Sequence, residues 1–277
     1  MSQLIQIKQR IKAIKVIKKI THAMRLISMS SRLKMMKNSE NLQSFRNEIT
    51  PLLCSLEEKY TAPTTIQHNP TNIIILIASE KGLCGTFNST IFSYFQNHTK
   101  DQIHSHTFIT IGKQAGDFLV KQNIPVAARF DKLNSHQLEN AATFLYEYLV
   151  QNKNNYNTVT CFYNHSKTFF VQEPQKYQLL PTAPQNNCNL TSSIDVQDYH
   201  WAQDPKDVIE CIFQSLLKLN ILYILAQSII AEQSARFLSM DSSTRNAENL
   251  LKKMNLEYNK IRQTKITKEL AELMSSF

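Results

Sequence analysis

The last 72 residues of the chain, Lys206 to Phe277, contain neither Gly nor Pro, and their apolar residues recur at helical spacing almost to the end. An unbroken α-helix of that length would extend roughly 108 Å at ~1.5 Å per residue. Helices of globular proteins average about 11–12 residues. Propensity alone does not hold so long a helix, so it needs a partner along its length. The first fifty residues also lack both helix breakers, and they are the predicted partner.

The C-terminal helix has a sharp start signal at Asp204-Pro205. Asp at the N-cap can accept an orphan backbone N–H, and Pro at the first helical position loses no hydrogen bond. Asp207 in the first turn suits the helix dipole. The stripe runs through Ile209, Ile212, Leu216, Leu219 and Tyr223, and later through Ala247, Leu251, Met254, Tyr258 and Ile261. Between them lies a small-residue zone of Ala226, Ala231, Ala235, Ser239, Ser242 and Ser243. In the N-terminal segment Leu4, Ile7, Ile11 and Ile14 form a stripe that continues at Ile17, Ile20, Met24 and Ile27 after a three-residue step. That step resembles a stammer in a heptad repeat. Small residues follow at Ala23, Ser28, Ser30 and Ser31, which an antiparallel partner's small zone could face; Pro51 then bends or ends the run. The C-terminal helix is predicted to be longer by about twenty residues, so that it projects past its partner or packs on the rest of the chain.

All four glycines, at 82, 85, 112 and 116, lie in the middle of the sequence. Residues 60–70, with Pro63 and Pro70, read as a linker. Asn72–Ser79 is a continuous β-branched run, the pattern of a strand buried on both faces of a parallel sheet. Further strands are predicted at Thr107–Ile111, Val126–Phe130 and Thr158–Tyr163, with extended pieces at Thr168–Val171 and Tyr177–Leu180. Helices fit from about Ser89 to Asn97, over Asp117–Gln122, and over Ser135–Val150 with Ser135 as N-cap. Residues 182–203 read as a loop. Alternating strands and helices indicate a Rossmann-like α/β layer. The predicted organisation is an N-terminal coiled-coil helix over 1–58, an α/β domain over 70–182, and a C-terminal coiled-coil helix over 204–277. The fold class is α/β: a long antiparallel coiled coil of the terminal helices with an inserted α/β domain.

Residues 1–40 hold ten Lys or Arg and one acid, Glu40, so the net charge of +9 sits almost wholly on the first helix. That asymmetry suggests an anionic partner: nucleic acid, lipid headgroups or an acidic protein surface. A nucleic-acid-binding coiled coil using residues 1–50 is therefore one functional alternative. The five cysteines form no C-x-x-C pair, which argues for a reducing compartment and against a disulfide frame or zinc site. The most apolar stretch, Leu216 to Ala231, is interrupted by Lys218, Asn220, Gln227 and Ser228 and falls short of the ~20 apolar residues of a membrane span. Gly82-Leu83-Cys84-Gly85 follows a strand and precedes a helix but matches neither phosphate-binding fingerprint; it suits a tight turn better than a nucleotide cradle. Cys84 reads as a small buried apolar residue. No catalytic set and no metal-ligand spacing is present.

Four blocks carry a resemblance. Arg10–Ser31, with Lys19-Ile20-Thr21-His22-Ala23-Met24 at its core, Lys81–Asn88 (KGLCGTFN), Ala231–Leu250 and Tyr258–Leu273 resemble, in order, motifs of the γ subunit of rotary ATP synthases. Glu80-Lys81 departs from that family's Asp-Arg before Gly-Leu-Cys-Gly, and Leu273–Phe277 from its Gly-Ala end. The resemblance places the basic N-terminal block in a mature helix rather than in an organellar transit peptide. It implies a non-catalytic rotating shaft without cofactor or metal, inside a ring of α and β subunits whose acidic loops meet the basic face. It further implies docking on the rotor c-ring beside a small ε-type accessory subunit, indirect membrane contact through that ring, no nucleic acid, and a place at the cytoplasmic face of the bacterial inner membrane. Carried over by motif, Met24, Arg236, Arg262, Gln263, Thr267 and Glu269 are the candidate shaft–ring contacts.

Overall fold

A computed structural model describes residues 2–60, 71–99, 106–133, 135–180 and 204–275. The expected linker at 60–70 and loop at 182–203 lie almost wholly outside these. The described chain consists of α1 (Ser2–Tyr60), β1 (Asn72–Ile77), α2 (Phe87–Thr99), β2 (His106–Ile111), α3 (Lys113–Lys121), β3 (Val126–Phe130), α4 (Leu138–Gln151), β4 (Val159–Ser166), β5 (Gln172–Leu180) and α5 (Pro205–Ser275). It divides into two compact units: Met1–Ser30 with Arg236–Phe277, and Ser31–Ala235.

The second unit is built on a five-stranded sheet of order β3-β2-β1-β4-β5. The β1–β2, β1–β4 and β2–β3 pairs are parallel, and β5 pairs antiparallel with β4. The continuous apolar run of β1 is buried on both faces for a direct reason. Ile73, Ile75 and Ile77 join one cluster with Leu145 and Leu149 of α4 and Leu217, Ile221, Ile224 and Leu225 of α5. Ile74, Leu76 and Ala78 join the other with Ile91 and Phe95 of α2 and Leu119 of α3. The apolar stretch around Leu216–Ala231 is thus core. It lies in a helix long and apolar enough by composition to cross a membrane, but here Leu217, Ile221, Ile224, Leu225, Ile229 and Ile230 are buried in the cluster on the sheet.

Gly112 closes the β2–α3 turn. Its φ is +88°, and a Cβ there would lie 2.2 Å from the Ala78 carbonyl oxygen. Of the two extended pieces expected near 168–180, Tyr177–Leu180 lies in β5, whereas Thr168–Val171 is the turn that enters that strand, its Thr168 N–H donating to the Val171 carbonyl at 3.3 Å. Ser135 does not cap α4: the helix starts at Leu138 behind Gln137, with no side-chain cap.

α1 does not stop at Pro51 but runs through it to Tyr60. Proline inside a helix forfeits one backbone hydrogen bond and costs about 3 kcal/mol. Packing on either side offsets this, since Ile49, Leu52 and Leu53 meet Ile209, Ile212 and Leu216 of α5. With α1 at 59 residues and α5 at 71, the difference in length is smaller than the sequence suggested.

In the unit of Met1–Ser30 and Arg236–Phe277, the two helices pair antiparallel. Ile11 packs with Leu251 and Met254, flanked by Ile7, Ile14 and Tyr258. The α5 stripe from Ala247 to Ile261 lies inward as its periodicity predicted. The α1 stripe does not continue as read. Past Ile14 the inward positions are Lys18, Thr21, Arg25 and Ser28, an unbroken alternation of three- and four-residue steps. There is no stammer; Ile17, Ile20 and Ile27 face outward, Ile20 at 53% and Ile27 at 67% exposure. Of the small residues of α1, Ser28 is buried. Ala23 and Ser30 are exposed, while Ala231 and Ala235 pack against Cys84 and Phe87.

Candidate helix-pair and partner interface

Three of the four inward polar residues of α1, Lys18, Thr21 and Arg25, have a defined partner on α5. Lys18 Nζ lies 2.9 Å from Glu248 Oε1. Arg25 Nη1 donates to Asp241 Oδ1 at 2.5 Å, and Arg245 Nη2 reaches Asp241 Oδ2 at 2.6 Å. The hydrogen bond from Arg25 holds the Asp241 carboxyl below its ordinary range, with Arg245 adding to the effect. Lys18 lowers Glu248 in the same way. Between these ion pairs the buried Thr244 hydroxyl donates to Thr21 Oγ1 at 2.9 Å. Each step forward on α1 meets a step back on α5, so the polar pairs fix one antiparallel register. Polar pairs at inward heptad positions specify register at some cost in stability.

Beyond this pairing, α5 carries its own exposed end. A cleft of about 540 Å³ is lined by Gln3 and Leu4 of α1 and by Lys260, Lys265, Lys268 and Glu269 of α5, among others. From Ile266 to Ser275 every α5 residue is exposed, and among them are Leu270, Leu273 and Met274, the last at 82%. Four of the six candidate contacts lie here: Arg262, Gln263, Thr267 and Glu269 are all exposed. Thr267 donates to the Gln263 carbonyl at 3.0 Å, and Glu269 pairs with Lys265 at 3.4 Å. The structure does not bring the other two to that surface. Met24 is half-buried, and Arg236 is 8% exposed.

In the second unit the Gly-Leu-Cys-Gly loop is a packing joint. Asn88 Nδ2 donates to Ser79 Oγ at 2.7 Å, and Asn88 Oδ1 accepts from the Ser79 N–H at 3.2 Å. Glu80 Oε2 accepts from the backbone N–H of Lys113 at 3.2 Å and of Lys132 at 2.8 Å, tying the ends of three parallel strands together. This gives the unusual Glu a local role. Cys84 and Phe87 are buried against Ala231 and Ala235 of α5, and Asn164 Nδ2 of β4 donates to the Phe87 carbonyl at 2.8 Å. Open α/β sheets bind ligands at the crevice where strand order reverses, here between β1 and β4. That crevice is filled by Cys84, Phe87 and the small face of α5. Leu83, by contrast, is 64% exposed with φ +63°. Periodicity could not have found this joint; the paired glycines were its one visible signal.

A sheet unit inserted in the chain between two long terminal helices, which pair through a polar seam, defines the class of fold. The chain belongs to the ATP synthase family: the model of that family, described as ATP synthase, matches residues 3–277. It is 29% identical over 277 residues to an ATP synthase gamma chain of Clostridium perfringens, covering 98% of this chain and 96% of the relative. It is 28% identical over 288 residues to an ATP synthase gamma chain of Rickettsia typhi, covering 99% and 98%. Among solved structures it is similar to a chain of the Euglena gracilis mitochondrial ATP synthase (OSCP/F1/c-ring), with TM-score 0.67, 13% identity, and 99% and 93% covered. It is similar also to a chain of the Tetrahymena thermophila mitochondrial ATP synthase central stalk/cring, with TM-score 0.60, 18% identity, and 80% and 98% covered.

Proposed function

We infer that this chain is the central shaft of an ATP synthase, the gamma chain, coupling rotation of the membrane rotor ring to conformational change at the catalytic nucleotide sites. The observation that carries the reading is the end of α5. Ile266, Leu270, Leu273 and Met274 are apolar, helical and uncovered, which is the chemistry of an axle tip turning in an apolar sleeve. The helix pair does no chemistry itself. An asymmetric shaft presents a different face to each surrounding site, and a site's nucleotide affinity follows the face it meets, which is differential binding by mechanical position.

Arg262, Gln263, Thr267 and Glu269 are the proposed contacts with the ring of α and β subunits. A guanidinium such as that of Arg262 can make several directed hydrogen bonds to a carboxylate or carbonyl. Arg236, being buried, and Met24, half-buried, serve chiefly to hold the helix packing from which those contacts project. The sheet unit meets the rotor c-ring and a small accessory subunit. The chain itself is non-catalytic and associates with the membrane only through the rotor ring, on the cytoplasmic face of a bacterial membrane. The nucleic-acid reading loses ground on a specific count: Lys18 and Arg25, part of the basic N-terminal face, are already paired with Glu248 and Asp241.

The test is co-purification with the α and β subunits, followed by removal of residues 266–277. The full chain should assemble with them. The truncated chain should keep its fold, because the described residues removed are exposed, and should assemble more weakly. A full-length chain that never associates with those subunits contradicts the reading.

A further inference from the structure

We propose that Arg32 is a positioning residue that clamps the β4–β5 hairpin onto α1 and α5, so that load on the sheet reaches the helices without slip. The statement about load rests on the shaft reading; the clamp does not. Arg32 is a half-buried side chain of α1, one four-residue step past the inward Ser28. Its Nε donates to Ser234 Oγ of α5 at 2.8 Å. Its guanidinium carbon lies 4.7 Å from the centre of the Phe169 ring at the hairpin tip. One side chain of α1 therefore touches two elements distant in sequence.

The neighbouring α1 cations show what is different here. Lys18 and Arg25 each meet a carboxylate of α5. Among the described residues, the charge of Arg32 is met by a ring face and a hydroxyl. Burial pulls the Arg32 pKa down, and a desolvated guanidinium gains more from an aromatic face than an exposed one does. Contacts within the hairpin brace the turn that carries the ring. At the tip, the Val171 N–H donates to Thr168 Oγ1 at 3.2 Å and Gln172 Nε2 donates to the Phe169 carbonyl at 3.1 Å. Lys167 pairs with Glu173 across the hairpin at 3.0 Å. Phe170 stands edge-on to Phe169 at 5.1 Å. Since β5 is an edge strand, this clamp fastens the side of the sheet that has no further strand to support it.

Arginine suits the position because a planar guanidinium can stack and donate from Nε together, which an ammonium cannot. The experiment uses F169L, which fills the space without a ring, F169Y, which keeps the ring, and R32K. Hydrogen exchange of residues 166–173 in the full chain should rise about tenfold in F169L and R32K and stay near wild type in F169Y. In the assembled complex, F169L should retain ATP hydrolysis but translocate fewer ions per ATP. Unchanged exchange in F169L, or equal loosening in F169Y, overturns the clamp. Loosened exchange with an unchanged ion-to-ATP ratio overturns its role in carrying load. If the wild-type chain does not assemble with α and β subunits, the shaft reading fails, and the exchange arm still decides the clamp.

Discussion

The buried threonine pair tests whether polar residues at the helix interface act as a coupled register device. Thr244 donates to Thr21 Oγ1 at 2.9 Å, and Thr21 in turn donates to the Lys18 carbonyl at 3.1 Å. Both side chains are buried. In T244V the Thr21 oxygen loses its donor while remaining buried, at a cost of about 1 kcal/mol. In T21V the Thr244 hydroxyl can turn wholly to the Met240 carbonyl, 2.8 Å away, so the cost falls to about 0.5 kcal/mol. In the double variant both hydroxyls go and two methyl groups of the same shape meet, which is about neutral or stabilising. The double variant should therefore be more stable than T244V alone. Chemical unfolding of the full chain, followed by far-ultraviolet circular dichroism, measures all four proteins. Equal costs for the single variants, with a double variant equal to their sum, would refute the coupling.

Three further predictions rest on separate features. Gly112→Ala should destabilise the sheet unit by more than about 2 kcal/mol, because the left-handed conformation and the contact with Ala78 act together; a midpoint within error of wild type would contradict the turn geometry. Asp241→Asn should lower stability at neutral pH. Its folded pKa is depressed, so its contribution is present above the unfolded value of about 3.9 and lost as pH falls through the folded one. The gap between variant and wild type should narrow in acid, and a gap constant with pH would refute the pairing with Arg25. Under a maleimide reagent in the folded chain, Cys211 should label quickly while Cys84 and Cys161 stay protected, since both are buried and burial pushes the Cys161 thiol up to about 12; peptide mapping reads the result.

Much of this architecture is legible in the sequence where one local signal decides it. Asp204-Pro205 marks the start of α5 within a residue. The β-branched run at 72–79 marks a strand buried on both faces, and Ala247–Ile261 marks the inward face of the helix end. The misreadings share one cause. Following apolar residues from Ile14 to Ile17 and Ile20 assumes that the interface is apolar, whereas it continues through Lys18, Thr21, Arg25 and Ser28. Lys18, Thr21 and Arg25 are inward because Glu248, Thr244 and Asp241, more than two hundred residues away, stand opposite. Local periodicity carries no record of such partners. Pro51 is a similar case: the local cost is real, and packing by Leu52 and Leu53 overrides it. At the candidate site, the motif pointed among others to Arg262, Gln263, Thr267 and Glu269, and the structure leaves these four exposed. It gave no sign that Arg236 is buried, because burial depends on what surrounds the position and not on the residue itself.

The shaft reading is tested most directly by watching the chain turn. With the α and β subunits immobilised and a bead attached to the sheet unit, ATP should drive sustained rotation in one direction, and removal of ATP should stop it. A chain that assembles with those subunits, supports ATP hydrolysis and yet shows only undirected motion of the bead would contradict the account.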